Sequence, residues 1–267
     1  MKTKETYTPG YSEVAIHYMQ RRHAARDAAF FLPHLKPGMT LLDCGCGPAA
    51  ITVGLAEAVA PGSVIGVDVG ASQIELAKQT AKERRLTNLR IEQASVYELP
   101  FADRSFHAVF SHALLEHLAD PLAALREIRR VLIPGGLVGI ASPDWDGVVF
   151  APPDREVAQA IKVYTHLQSQ NGGNPFVGRE LGWLLQEAGF SGIALTATYD
   201  CYERMELICD LLAERIESFL QRSRTAEAGV PDAATIAQLS QALKRWATNP
   251  VALFAQCFVT AVGRVEA

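Results

Sequence analysis

The run Asp43–Cys44–Gly45–Cys46–Gly47–Pro48–Ala49 constrains the fold more tightly than any other stretch of the chain. The apolar residues Met39–Thr40–Leu41–Leu42 lead into it, and Ala50–Ile51–Thr52–Val53–Gly54–Leu55–Ala56 follow with helical character. A buried strand, a glycine turn and a helix, in that order, begin a doubly wound sheet. About 20 residues beyond the turn, a second apolar strand, Val64–Ile65–Gly66–Val67, ends in Asp68. Glycines admit a ligand to the backbone, and an acid after the second strand accepts ribose hydroxyls, so the pair reads as a nucleotide-type site. Asp43 narrows the ligand. A dinucleotide rests its pyrophosphate against the helix N-terminus, where a carboxylate just ahead of the first glycine repels it. A nucleoside carrying an ammonium and a sulfonium tolerates that carboxylate.

Beyond the turn, strands and helices alternate, which predicts an α/β fold with a mainly parallel, doubly wound sheet covered on both faces. Seven strands are expected, at Thr40–Cys44, Ser63–Asp68, Leu89–Gln93, Ser105–Ser111, Leu137–Ser142, Gly192–Tyr199 and Ala252–Gly263. Helical periodicity covers Glu13–Leu35, Ala71–Arg85 (capped by Ser72 or its neighbour), a segment opening near Pro121, Glu156–Gln170 and Val177–Ala188. Two more helices, roughly Glu203–Arg222 and Asp232–Trp246, intervene between the sixth and seventh strands. This divides the chain into an N-terminal helical cap (residues 1–38) and a sheet domain (39–267), with 143–175 as pocket rim and 203–250 as lid. Ligands of open parallel sheets bind at the carboxyl ends of the strands. The inserted helices therefore either fold over that edge or serve as sheet cover or a homodimer contact. Leu207, Leu211, Ile216, Phe219 and Leu220 suit a lid above an uncharged or amphipathic organic molecule, and core packing explains them equally.

A net charge of −4 leaves no basic stripe to neutralise phosphates, which argues against a nucleic-acid partner. Arg21–Arg22 and Lys82–Glu83–Arg84–Arg85 read as solvated helix faces. No apolar run reaches membrane-spanning length, the N-terminus is polar, and five cysteines without a framework spacing point to a reducing cytoplasm. Cys44 and Cys46 are either metal thiolates or small residues that a tight turn accepts. With Cys201, Cys209 and Cys257 as distant partners, no metal is expected.

Five ordered blocks resemble the class I S-adenosylmethionine-dependent methyltransferases, in the branch that includes the ubiquinone/menaquinone-type enzymes. They are the glycine turn, Asp68 with Val69–Gly70–Ala71–Ser72–Gln73–Ile74, Leu99–Pro100–Phe101–Ala102–Asp103–Arg104–Ser105–Phe106, His117–Leu118–Ala119–Asp120–Pro121, and Val131–Leu132–Ile133–Pro134–Gly135–Gly136. The resemblance implies S-adenosyl-L-methionine as methyl donor and a small-molecule acceptor. It implies that Gly45, Cys46 and Gly47 pass the methionine portion and that Asp43 holds its ammonium. Asp68 would take both ribose hydroxyls, and Val69 and Gln73 would line the nucleoside. Ser95 stands where the family usually has an acid for the adenine amino group, with Val96 following, and Ala49 replaces the third glycine of the turn. The hydroxyl accepts without charge assistance, the fold absorbs Ala49, and together the two departures leave room for weaker donor affinity. Tyr7 and Arg22 stand where related chains often carry Tyr and Arg, and Arg22 is either a partner for the donor carboxylate or a surface residue.

Methyl transfer from a sulfonium needs alignment and exclusion of water, and a base only when the nucleophile carries a proton. His112, first beyond the fourth strand, is the candidate base, or it lends only its backbone to the donor ammonium. His117 reads as a packed helix residue. Asp144 and Trp145, beyond the fifth strand, are expected at the acceptor, where Trp145 either stacks on an aromatic ring or covers the core. Arg179 opens a helix whose dipole disfavours cations, so it needs a partner: a structural acid (Asp144, Asp146 or Glu180) or an acidic acceptor. Two other readings remain at this point, a cofactor-binding pericyclic or non-transferring member of the fold, and a nicotinamide dehydrogenase. The latter leaves Asp43 unexplained.

Overall fold

The computed structural model describes residues 5–222 and 231–266, with 219–222 described by backbone alone. Seven strands form one sheet: β1 (Thr40–Cys44), β2 (Ser63–Asp68), β3 (Leu89–Gln93), β4 (Phe106–His112), β5 (Leu132–Ala151), β6 (Ser191–Cys201) and β7 (Leu253–Arg264). Their spatial order is β3-β2-β1-β4-β5-β7-β6, with β1 to β5 parallel and β7 antiparallel to both β5 and β6. Strand order reverses between β1 and β4, and the glycine turn leaves β1 at that switch point, where open α/β sheets place their ligands. Leu41 and Leu42 of β1 and Val109 and Phe110 of β4 have no exposed surface, as strands covered on both faces require.

The helices are α1 (Glu13–Gln20), α2 (Ala24–Asp27), α3 (Thr52–Val59), α4 (Ala71–Glu83), α5 (Pro121–Val131), α6 (Arg155–Gln170), α7 (Leu181–Glu187), α8 (Met205–Arg222) and α9 (Ala233–Ala247). Local chemistry sets several starts. Asp120 caps α5 through the Ala123 amide with Pro121 at its first position, and Asp154 caps α6 through the amides of Glu156 and Val157. α4 has no side-chain cap. Gly70 stands at its cap position, and Ser72 lies inside the helix.

Three expectations are corrected. The single helix over Glu13–Leu35 is broken into α1, α2 and a 3-10 turn at Leu32–His34, because His23 is extended and Asp27 captures the His23 amide at 2.7 Å. The fifth strand runs far past Ser142, since β7 supplies a partner as far as Ala151, with a bulge between Asp144 and Val149. The Arg21–Arg22 pair is not a solvated face. Arg21 is salt-bridged to Asp200 with its guanidinium over Tyr202, and Arg22 lies 5.3 Å from the Tyr18 ring centroid.

Two cores pack on the faces of the sheet, and a third lies apart from them. It joins Tyr18 and Met19 of α1, Trp145 and Phe254 from the β5–β7 extension, Tyr164 of α6, Leu211 and Ile216 of α8, and Leu239, Leu243 and Trp246 of α9. The N-terminal helix, the segment after β5 and the helical insertion thus share one apolar interior. Of the apolar residues expected on the insertion, Leu207 packs at its edge, while the side chains of Phe219 and Leu220 lie outside the described residues.

Candidate active site

A cavity of about 310 Å³ opens at the carboxyl ends of β1, β2 and β4. Its floor is the glycine turn. Gly45 and Gly47 have φ of +74° and +52°, which glycine adopts without penalty. The amides of Gly45 and Cys46 both donate to the Val67 carbonyl, at 2.9 and 3.0 Å, so the turn is tied to the end of β2. Ala49, in place of the third glycine, keeps the left-handed conformation at φ +63°. The substitution leaves the turn intact at a cost in backbone strain.

The two acids sit in different surroundings. Asp68 takes the Gly47 amide on Oδ2 at 3.0 Å and the Gly70 amide on Oδ1 at 2.8 Å. It therefore splints the turn to the start of α4 and still has a free lone pair on each oxygen. Burial raises its proton affinity, and the backbone amides oppose the rise. Asp43 is 3% exposed and accepts the Thr52 hydroxyl at 2.6 Å. Burial pushes its carboxyl up to about 7, with Thr52 lowering and Asp68 raising it.

All the residues expected at the donor line this one cavity: Arg22, Asp43, Gly45, Cys46, Gly47, Asp68, Val69, Gln73, Ser95, Val96 and His112. Gln73 is 1% exposed, and neither atom of its amide has a hydrogen-bond partner among the described residues. A buried amide ordinarily has a hydrogen-bond partner, from protein, water or a bound molecule. The Ser95 hydroxyl already accepts the Tyr97 amide at 3.2 Å. Cys44 and Cys46 are free thiols raised well above their ordinary range by burial. Among the described residues no group of three or more His, Cys, Asp or Glu is placed to hold a metal ion.

His112 is 8% exposed and stacks on Phe258 at 5.0 Å, with Nε2 3.9 Å from Asp27 and Nδ1 unpartnered among the described residues. Burial, then the positive field of Arg22, Arg21 and Arg26, holds its proton affinity well below the ordinary imidazole value. That field opposes the near-neutral base expected from sequence, and the ring stays neutral.

The expected acceptor residues part company. Trp145 lines a smaller chamber that adjoins the large cavity and shares Tyr7, Arg22, Ala113 and His117 with it. Asp144 and Arg179 line neither. Arg179 donates to Asp144 through Nε at 2.5 Å and Nη2 at 2.7 Å, and to Asp146 at 3.1 Å. Its partner is the structural acid, and its residue lies in a 3-10 turn, Val177–Glu180, ahead of α7.

Several lining residues were not singled out from sequence. Glu5 accepts the Tyr97 hydroxyl and the Ala119 amide, both at 2.8 Å, fastening the N-terminal segment over the cavity. Tyr11 stacks on Tyr7 at 5.2 Å, and Tyr7 meets His117 edge-on at 4.7 Å. Glu116, in the apolar run Leu114–Leu115–Glu116–His117–Leu118, is 2% exposed. An acid flanked by leucines in a segment that follows β4 was the available signal.

Comparison with known proteins agrees with this geometry. Residues 42–140 match a family model described as a methyltransferase domain. The chain is 33% identical over 186 residues to an uncharacterized methyltransferase of Schizosaccharomyces pombe, covering 66% of each. It is 30% identical over 205 residues to the demethylmenaquinone methyltransferase of Listeria monocytogenes, covering 71% of this chain and 86% of that one. The chain spans 44%, 66% and 50% of the lengths of the first curated relatives it matches. Its fold superimposes on the YcgJ protein of Bacillus subtilis with a TM-score of 0.60 at 17% identity, over 94% of this chain and 100% of that one. The chain belongs to the class I S-adenosylmethionine-dependent methyltransferases.

Proposed function

We propose that this protein transfers a methyl group from S-adenosylmethionine to a small organic acceptor, by in-line displacement, in a site closed by its helical cap. The observation that carries the reading is the glycine turn held between two carboxylates, with Asp68 fixed by two backbone amides and Asp43 buried beside it. Bound there, S-adenosylmethionine supplies a methyl group already activated on a sulfonium. Asp68 would accept the ribose hydroxyls on its free lone pairs, and Asp43 would face the ammonium. Arg22 has no ion-pair partner among the described residues and would take the carboxylate. The unpartnered Gln73 amide and Val69 would line the nucleoside, with Ser95 and Val96 at the adenine. The third core would act as the cap, shutting water from the chamber behind Trp145.

Membership of this family leaves the nicotinamide reading without support. The test is a metabolite-extract incubation with isotopically labelled methyl donor, followed by mass identification of labelled product. A labelled small molecule, formed together with S-adenosylhomocysteine, is the expected result. Donor binding with no labelled product from any extract would favour a cofactor-binding member that transfers nothing. Among the described residues no helix is long and apolar enough to cross a membrane.

A further inference from the structure

The two edges of the sheet are built differently. β3, at one edge, has five residues, and two of them are Arg90 and Glu92, joined at 2.6 Å. A short, charged strand is one way that native sheets keep an edge from pairing with another chain. β6, at the other edge, runs for 11 residues from Ser191 to Cys201. It has no proline and no lysine, and no charge from Ser191 through Tyr199. Its one acid, Asp200, is salt-bridged to Arg21. Its register shift against β7 lies at the start, between Ser191 and Ala194, and the pairing is regular from there to Cys201. Among the described residues β7 is its only strand partner, and every residue from Ala194 to Tyr199 is exposed.

Apolar side chains flank this open edge. Leu195, Ala197 and Tyr199 alternate onto one face of the strand, and Leu195 and Tyr199 are each 52% exposed. α7 lies beside that face. A Cβ added at Gly182 would sit 2.9 Å from Leu195 Cδ1, and the next residue, Trp183, is 57% exposed. The opposite face presents Ala194, Thr196 and Thr198. Native proteins rarely leave a long, uncharged edge with half-exposed Leu, Tyr and Trp beside it open to water.

We propose that β6 pairs antiparallel with β6 of a second copy of this chain, so that two sheets join into one across a two-fold axis. Such pairing sets the strand against its own sequence, and with no charge from Ser191 through Tyr199 that stretch opposes no like charges. It also brings the exposed Arg264, the β7 partner of Ser191, toward the exposed Glu203 that follows the strand on the other copy, once at each end. The size fits as well. A strand of 11 residues is about 36 Å long, and with its side chains and the flank of α7 it covers about 700 Å² per copy, against about 800 Å² in a standard stable interface. The assembly closes at two, because the edges left outside are both the short, charged β3.

Pairing at this edge reaches the third core. Asp200 holds Arg21, next after α1, and the Tyr202 hydroxyl, just past the strand, meets the Tyr18 hydroxyl of α1 at 2.8 Å. No residue of β6 lines the large cavity, so each copy keeps a donor site of its own.

The test is sedimentation equilibrium of the full chain over a concentration series, with amide exchange in β6 followed over the same series. A monomer–dimer equilibrium with a dissociation constant of about 1–100 μM is expected. The β6 amides that β7 leaves unbonded should exchange about tenfold more slowly in the dimer. Thr196→Lys combined with Thr198→Lys puts like charges across the two-fold at exposed positions. It should raise the dissociation constant about tenfold or more and leave S-adenosylhomocysteine affinity unchanged. A chain that stays monomeric to about tenfold above that concentration range would overturn the proposal. So would a dimer whose β6 amides exchange at the monomer's rate, a dimer equally tight in the variant, or a monomer that takes up a different protein along β6. The wild-type exchange series decides the matter even if the variant does not fold.

Discussion

At the glycine-turn end of the site, the cavity is faced by backbone and by two carboxylates, all drawn from neighbouring strand ends on one side of the sheet's switch point. At the chamber end it is faced by side chains from α1, β5, α6, α8 and β7, brought together by the third core. The first end is held by backbone hydrogen bonds between β1, β2 and the turn. The second is set by packing and by side-chain hydrogen bonds such as Tyr18 Oη to Gln256 Oε1 at 3.2 Å, so it depends on five elements agreeing. A fold can thus keep a constant donor turn while exchanging what surrounds the acceptor.

Predictions follow from that contrast, and the largest concerns the turn. Gly45→Val puts a branched side chain at φ +74°, with a Cβ 3.1 Å from Leu114 Cδ1. Calorimetry should find S-adenosylhomocysteine binding abolished, and intact binding would break the assignment of the turn. Asp68→Ala removes the proposed ribose partner and also frees the amides of Gly47 and Gly70. It should cost about 2–3 kcal/mol of affinity and lower Tm as well, since its carboxylate also holds those two amides. A variant that loses affinity with its Tm unchanged would mean that the splint is unimportant.

Asp43 gives a pH signature. Its folded pKa is raised to about 7, so the stability it contributes is present below the ordinary carboxylate range and is lost as pH rises through 7. Glu116, raised to about 8, acts in the same direction. Tm of the free protein should therefore fall across that window. S-adenosylhomocysteine affinity should rise across it, about tenfold per unit below the midpoint, if the Asp43 carboxylate is the partner proposed for its ammonium. Asp43→Asn should flatten the affinity profile, and a profile unchanged in the variant would remove Asp43 from the ammonium.

At the chamber end, Arg179→Met strips the buried Asp144 carboxylate of its partner, yet Arg179 itself is half exposed. A cost of about 1–2 kcal/mol, or a few degrees of Tm, is expected with donor affinity and acceptor KM unchanged. A raised KM at constant Tm would return Arg179 to the substrate. The smallest effect is a gain: Ala49→Gly should relieve the left-handed strain and stabilise by ~0.5–1 kcal/mol in thermal melts.

The same contrast explains what was legible in the sequence. β1, β2 and β3 were read to the residue, and the residues singled out around Asp43 and Asp68 line one cavity, because a strand, a glycine turn and an acid are local signals. The break after Gln20 was not, since it depends on Asp27 reaching the His23 amide and on Arg21 pairing with Asp200, far away in sequence. The extension of β5 was hidden because Pro143 reads as a breaker while β7 supplies the hydrogen bonds that continue the strand. Glu116 escaped notice because its meaning comes from Gln168, Asn174 and Tyr164, none of which its own neighbourhood announces. Arg179 was read correctly as a cation in need of a partner, and the structure supplies Asp144 and Asp146.

The central claim is that the donor binds against the glycine turn between Asp43 and Asp68. Amide hydrogen exchange on the wild-type protein, with and without S-adenosylhomocysteine, tests it without any substitution. Protection should concentrate in residues 43–49, 68–73 and 94–97, the segments that line the large cavity, and β6 at the far edge should be unaffected. Ligand binding that leaves 43–49 and 68–73 exchanging as before would contradict the account.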